Sequence, residues 1–484
     1  MTTPARAAVA LMALGLMLTA PAVAQDRGPA RFDALVALAE AKMQEHRVPG
    51  VAIGIIDNGV LRTRGLGVTN VEDGLAVNDH TVFPIASISK TFAATAMMRL
   101  VEQGKVDLQA PVRKYLPDFE VRDAAVSREV TVWNLLTHTS GWEGQVSGPE
   151  RGEDTLRHFV TTITDLMQVA PPGAAWSYNN AGFSVAGRVI EAVTGTSINR
   201  AVRDLVFAPL GLAHAGTTAG DFIVNRFAAG HANRGDAPPT LQRPFSPSTS
   251  VTAGGIGLCI TDLLAYARFH LGDGTTASGE RVLSQASLEQ MRTAQLRKQG
   301  TDDDIGLAWH LRTIGGLRVA AHGGTLAGHI LLLELAPERN FAIAILTNSQ
   351  NGWRLIQNVE RAALQAYQGV GFETNQGIAH RGLVETLPTA QPLVAQPGPL
   401  QYVGRYLRPS NAVVVRADGD KLFVQERPSA GEPRPEMPVA FFGPDRAVVT
   451  DGPDRGQSIE FVRAADNTVN WIRVVGRVAV RAKE

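Results

Sequence analysis

Residues 374–400 most constrain what this chain can fold into. They set Pro388, Pro392, Pro397 and Pro399 in a Gln-, Ala- and Gly-rich context with neither helical nor strand periodicity. Such a run reads as a linker, and 484 residues are in any case too many for one typical domain. The two sides differ in pattern. From Tyr402 only strand and turn signals occur. Ala412 to Arg416 and Lys421 to Gln425 flank Asp418-Gly419-Asp420, and Phe441, Ala447 to Val449, Ile459 to Val462 and Trp471 to Val480 add further strands. This predicts a small all-β domain, a barrel or a sandwich, over 401–484.

Before the linker, helix and strand signals mix. Phe32, Leu35, Val36, Leu38, Ala39 and Met43 have helical spacing over 32–46. Val51 to Ile56 reads as a buried strand, Asp57-Asn58-Gly59 as a tight turn and Val60 to Gly67 as the returning partner. A helix-rich stretch follows from about Val130 to Leu271. Leu317 to Ala321, His329 to Leu335 and Phe341 to Thr347 read as strands, the last two joined antiparallel through Pro337-Glu338-Arg339-Asn340. At the start, Arg6, the apolar run Ala7 to Leu18 and Ala22-Val23-Ala24 have the order of a cleaved secretory signal over 1–24. The apolar run is too short for a membrane span. The expected product is a periplasmic or secreted protein with a main domain over 25–373 and no membrane span after cleavage.

Charge narrows the partners. Lys plus Arg and Asp plus Glu both number 46, and no basic stripe appears, so a nucleic-acid partner is not expected. Cys259 is the single cysteine, which excludes an intrachain disulfide. Its setting, Gly257-Leu258-Cys259-Ile260, suits a small buried core residue. The histidines show no His-x-x-x-His or Glu-x-x-His spacing, so no metal site is expected.

Lysine is scarce, 7 residues in all, yet one closes Ser87-Ile88-Ser89-Lys90. The run Thr91 to Val101 that follows is helix-favouring, and residues three apart share a helix face, so Lys90 stacks one turn beyond Ser87. A serine hydroxyl needs a neighbour to take its proton, and a desolvated lysine can do so. A second segment, Tyr178-Asn179-Asn180, follows the loop Pro171-Pro172-Gly173 and precedes a helix closed by Gly195. Asn180 could serve only as that helix's N-cap. Tyr178 becomes a base only if a cation such as Lys90 stabilises its phenolate. A third segment, His322-Gly323-Gly324-Thr325, ends the Leu317 to Ala321 strand. Its glycines let a substrate backbone lie close, and the Thr325 amide can face an oxyanion. The plainer alternative is a glycine turn beside a surface histidine.

These three segments, in this order, resemble the serine β-lactamase and penicillin-binding protein superfamily, in its class C-like branch of the peptidase S12 type. Thr131 to Gly141, Pro172-Gly173, Pro209 to Leu212, Ala253 to Gly257 and Thr261-Asp262-Leu263 are similar to that branch as well. The resemblance spans roughly 30–370 and implies an α+β fold: an antiparallel sheet flanked by helices with an all-helical subdomain. It implies that Ser87 is acylated, that Lys90 and Tyr178 share acid–base work, and that Asn180 orients Lys90 and binds a substrate carbonyl. It gives the oxyanion hole to the amides of Ser87 and Thr325, with His322 and Gly324 beside the substrate. Which of Lys90 and Tyr178 takes the first proton stays open. No metal or cofactor is implied, and the partner is a small-molecule or peptide substrate.

One departure bears on activity. The branch's lactamases and carboxypeptidases usually carry lysine where this chain has His322, which is mostly neutral at pH 7. That points to ester or amide (peptide-type) hydrolysis ahead of β-lactam hydrolysis or DD-peptidase action. The alternative of another class is a silent cell-wall or partner-binding scaffold. Gly182-Phe183-Ser184-Val185-Ala186 lacks the second glycine of a nucleophile elbow and lies in a predicted helix. His138 reads as a structural histidine, and Trp142 and Trp176 as either cleft lining or packing.

Overall fold

The computed structural model describes residues 28–144, 155–233, 237–242, 251–276, 278–299, 301, 303–371, 398–409, 411–452 and 454–483. The expected signal segment and all but the end of the expected linker lie outside these residues.

The centre of the main body is an eight-stranded antiparallel sheet. Its order is Val60–Gly67, Gly50–Asp57, Phe341–Thr347, His329–Ala336, Leu317–Leu326, His310–Ile314, Asp304–Ile305 and Leu296–Arg297. The first hairpin turns through Asn58 and Gly59, both at positive φ, as the Asp-Asn-Gly signal predicts. His329–Ala336 and Phe341–Thr347 form the predicted second hairpin, with Asn340 left-handed at its turn. Central strands are buried on both faces, which is why they read as continuous apolar runs.

Alternation sorts their side chains into two cores. Val51, Ile53 and Ile55 pack with the helices Gly28–His46 and Gly352–Gln368. Ala52 and Ile56 face Ile260 and Leu264 of the helix Ile260–Leu271. Each fully buried isoleucine or leucine stabilises the fold by about 1.5–3 kcal/mol. Gly54 lets that helix approach: a Cβ there would lie 2.5 Å from Leu264. Beyond this helix the helical layer continues through Val132–Leu136, Thr155–Thr162 and Asn180–Thr194, which share one apolar cluster.

The tail is a closed barrel of eight antiparallel strands, each bonded to the next in sequence, from Gly404–Arg408 to Arg477–Arg481. Pairing of Tyr406 with Arg481 closes it. Tyr402, Tyr406, Phe441 and Phe461 fill its interior with aliphatic neighbours. The barrel resolves the earlier choice between barrel and sandwich.

Two local expectations need correction. The strand from Leu317 does not stop at Ala321 but runs to Leu326, so the His322 segment lies within it. Trp471 to Val480 is not one strand. It folds back at Val475 and Gly476, both at positive φ, giving Val469–Val474 and Arg477–Arg481. This hairpin docks on the main body. Trp471 packs with Val169, Ala170 and Ala175, and its indole N–H donates to the Val169 carbonyl at 2.7 Å.

Candidate active site

Ser87 sits in a single helical turn, Ala86–Ile88, that feeds the helix Ser89–Glu102. The short strand Phe83–Pro84 leads in and pairs with Gly257–Leu258. The Ile85 amide extends that pairing by donating to the Ile256 carbonyl at 2.8 Å. Ala86 has φ +49°, a conformation costly for a residue with a Cβ. Gly324 makes room for it: a Cβ there would lie 2.5 Å from the Ile85 carbonyl oxygen and 3.2 Å from the Ala86 Cβ. Strain is thus stored next to Ser87 and held by surrounding backbone.

Lys90 lies in the first turn of that helix and is completely buried. Its Nζ is 3.3 Å from Ser87 Oγ and donates to the Ala253 carbonyl oxygen at 2.5 Å. It also lies 4.8 Å from the ring centre of Tyr178 and 5.6 Å from that of Phe183. Burial holds its ammonium well below the usual lysine range, and the Arg477 charge pushes the same way.

Tyr178 hydrogen-bonds the Ser87 side chain. The enclosing protein pushes its hydroxyl up to about 12, against the opposing pull of Ser87 and Arg477. Its backbone is held from the barrel: the Tyr178 amide donates to the Gly476 carbonyl at 2.9 Å. Asn180 is not the N-cap of its helix. Asn179 is, accepting from the Gly182 amide at 2.7 Å, while its Nδ2 donates to Ser140 Oγ and the Trp142 carbonyl. Asn180 opens the helix, its amide donating to the Gly144 carbonyl at 3.1 Å.

His322 is nearly inaccessible, so the surface-histidine alternative does not hold. Its Nδ1 lies 2.7 Å from the Gly323 carbonyl oxygen, and its ring centre 6.4 Å from that of Tyr178. Gly324 and Thr325 follow on the same strand, Thr325 pairing with Ile330 of the next one. Structure therefore gathers Ser87, Lys90 and Tyr178 by direct contact and sets His322 beside them.

Other candidates fall away. His138 is buried at φ +58°; its Nδ1 accepts from the Asn179 amide at 2.9 Å, and burial holds it well below the usual histidine range. Trp142 belongs to the core, and Trp176 lies between the Lys298 and Arg473 cations. Ser184 is inside the helix Asn180–Thr194. Cys259 is buried, and burial together with Asp262 pushes its thiol up to about 11, so it is no nucleophile at neutral pH.

Sequence reasoning missed Arg477. It projects from the barrel hairpin with its guanidinium carbon 5.7 Å from the Tyr178 ring centre, and pairs with Glu143 at 3.6 Å. Nothing in the strand pattern of the tail marks it.

The Beta-lactamase family model matches residues 35–367. The chain belongs to the β-lactamase family. Penicillin-binding protein 4 of Amycolatopsis lactamdurans is 33% identical over 347 residues, which cover 70% of this chain and 89% of that protein. The crystal structure of SurE, also solved with D-Leu, is similar at TM-score 0.77 and 26% identity over 94% of this chain and all of that one. A class C β-lactamase from Rhodobacter sphaeroides shares the fold, with TM-score 0.58 and 22% identity over 70% of this chain and 99% of that one. The chain is a serine hydrolase of the β-lactamase and penicillin-binding protein superfamily. Among the described residues no helix is long and apolar enough to cross a membrane.

Proposed function

We propose that this protein is an exported acyl hydrolase that cuts a peptide-type amide or an ester bond through an acyl-Ser87 intermediate. The observation that carries this reading is the Ser87 hydroxyl shared between Lys90 Nζ and the Tyr178 hydroxyl. A neutral Lys90 amine keeps an N–H for the Ala253 carbonyl and turns its lone pair to Ser87. It takes the serine proton as Oγ bonds to the substrate carbonyl carbon. The carbonyl electrons move to oxygen and are held by the Ser87 and Thr325 amides, each such donor contributing about 2.7–4 kcal/mol in the transition state. Asn180 binds the neighbouring substrate carbonyl and steers Lys90. Tyr178 gives its proton to the leaving amine or alcohol as the C–N or C–O bond breaks. The phenolate then deprotonates water, which attacks the acyl carbon, and the lysine proton returns to Ser87.

We take Arg477 to supply the fixed cation that this chain lacks in its third motif, where it carries His322 in place of a lysine. In this reading it receives a carboxylate at the substrate end, which favours peptide-type substrates; the structure of SurE with D-Leu supports the same class. The test is intact mass during a time course with benzylpenicillin, aryl esters and amino-acid anilides. Expected is a one-to-one adduct or turnover that Ser87→Ala abolishes. Neither adduct nor turnover with any of them would favour a silent scaffold.

A further inference from the structure

We propose that His80, His214 and Cys259 form a zinc-class divalent metal site, separate from the catalytic cleft, that clips together the segments carrying Ser87 and the Lys90 acceptor. One ligand atom from each of the three residues lies within 4.8 Å of the others. Two imidazole nitrogens and one sulfur are the donor set that zinc prefers. The residues come from three distant segments: the turn before Phe83–Pro84, the loop after Leu212, and the start of the helix Ile260–Leu271. This is why no His-x-x-x-His spacing announces them.

The surroundings are built around the cluster. The imidazoles of His80 and His214 stack, with centroids 4.8 Å apart. Asp262 Oδ2 accepts from the His214 amide at 2.7 Å and lies 3.7 Å from His214 Nδ1. A carboxylate behind a ligating imidazole sets its tautomer and raises its basicity. Thr261 joins the other two ligand segments: its hydroxyl donates to the Asp79 carbonyl at 3.2 Å and stands 3.0 Å from Cys259 Sγ. Cys259 and Asp262 are buried, whereas His80 is exposed, which leaves an entry path from solvent. On binding, the Cys259 S–H bond breaks, its proton leaves to solvent and a sulfur–metal bond forms, with no redox change.

The position gives the metal its role. His80 and Cys259 lie just outside the paired strands Phe83–Pro84 and Gly257–Leu258. The inner ends of these strands lead to Ser87 on one side and to the Ala253 carbonyl on the other. A metal at the outer end therefore ties down both supports of the site without touching substrate.

The test uses the full mature chain, stripped with chelator under reducing conditions, then titrated with Zn²⁺ or Co²⁺ at neutral pH. Expected are one zinc per chain retained through gel filtration, a rise in melting temperature with zinc, and a thiolate-to-cobalt charge-transfer band with Co²⁺. Cys259→Ser should remove the band, and Asp262→Asn should weaken binding about 10–100-fold. His80→Ala, at an exposed position where folding is not at stake, should weaken it by at least about 10-fold. Absence of stoichiometric zinc and of the band in the parent chain overturns the site, as does equal affinity in the Cys259→Ser and His80→Ala variants. Binding without a rise in melting temperature overturns the clip.

Discussion

Lys90 and Tyr178 meet at one hydroxyl, yet their surroundings move their acidities in opposite senses. Burial lowers Lys90 far from its ordinary value and raises Tyr178 to about 12. At neutral pH the tyrosine keeps its proton while the lysine can lose its own. That favours Lys90 as the first base, the choice the motif alone leaves open. For acylation the neutral amine is the active form, so kcat/KM should rise with pH through the lowered Lys90 value and then level off. Lys90→Arg keeps charge but cannot deprotonate near neutral pH, and should cost at least about 10²-fold in turnover. Tyr178→Phe should cost a comparable factor while leaving the acid limb in place. Rate profiles over pH for the three proteins, with one aryl ester, check this; an acid limb that moves with Tyr178→Phe would reverse the assignment. The residues of this site were legible because Ser87 and Lys90 lie one helical turn apart. Arg477 was not, since only folding brings residue 477 to residue 178. Asn179 rather than Asn180 as the cap was equally hidden, because either asparagine can accept from the first helical amides.

A buried ionic cluster ties helix to strand at the level of the elements. Arg312 on His310–Ile314 lies 2.9 Å from Glu334 on His329–Ala336, two strands along the same sheet, and 3.7 Å from Glu360 on the helix Gly352–Gln368. Both carboxyls are buried. Burial and the charge of Glu334 raise Glu360 well above the usual carboxylate range, and burial raises Glu334 as well, against the pull of Arg312. A raised folded-state value stabilises below the unfolded glutamate pKa, about 4.3, and that stability is lost as pH rises through the folded value. Glu360→Gln mimics the protonated form and should flatten this loss of stability with rising pH. Arg312→Leu leaves a carboxylate buried without its cation and should cost about 3–5 kcal/mol. Urea unfolding across pH reads both. The elements themselves were largely readable: the Asn-Gly turn gave the first hairpin, and two-faced burial gave the apolar central strands. The Val475-Gly476 reversal escaped because Gly476 is the single turn-forming residue in Trp471 to Val480, a run of mostly β-favouring residues in which one glycine also suits a strand interior.

Across the whole molecule, the barrel is joined to the main body where the Tyr178 segment runs. Hydrogen bonds that cross there include Trp471 to the Val169 carbonyl, Arg473 Nε to the Trp176 carbonyl, the Tyr178 amide to the Gly476 carbonyl, and the Val478 amide to Ser177 Oγ. The barrel thus bonds Trp176, Ser177 and Tyr178 in succession, whereas Ser87 and Lys90 rest on the main body alone. A chain ending at residue 373 should keep the Ser87 helix but lose the hold on Tyr178, and expose Val169, Ala170 and Ala175. We expect it to lose most turnover. Point variants separate support from charge. Trp471→Ala loosens the dock and should lower turnover on all substrates alike. Arg477→Ala keeps those hydrogen bonds but removes the cation together with its ion pair to Glu143. It should cost a carboxylate-ended peptide substrate about 10–150-fold in kcat/KM, the worth of a charged hydrogen bond of about 1.5–3 kcal/mol, and a neutral aryl ester much less. Equal losses on both substrates in Arg477→Ala would mean that the barrel acts only as a brace for Tyr178 and reads nothing of the substrate.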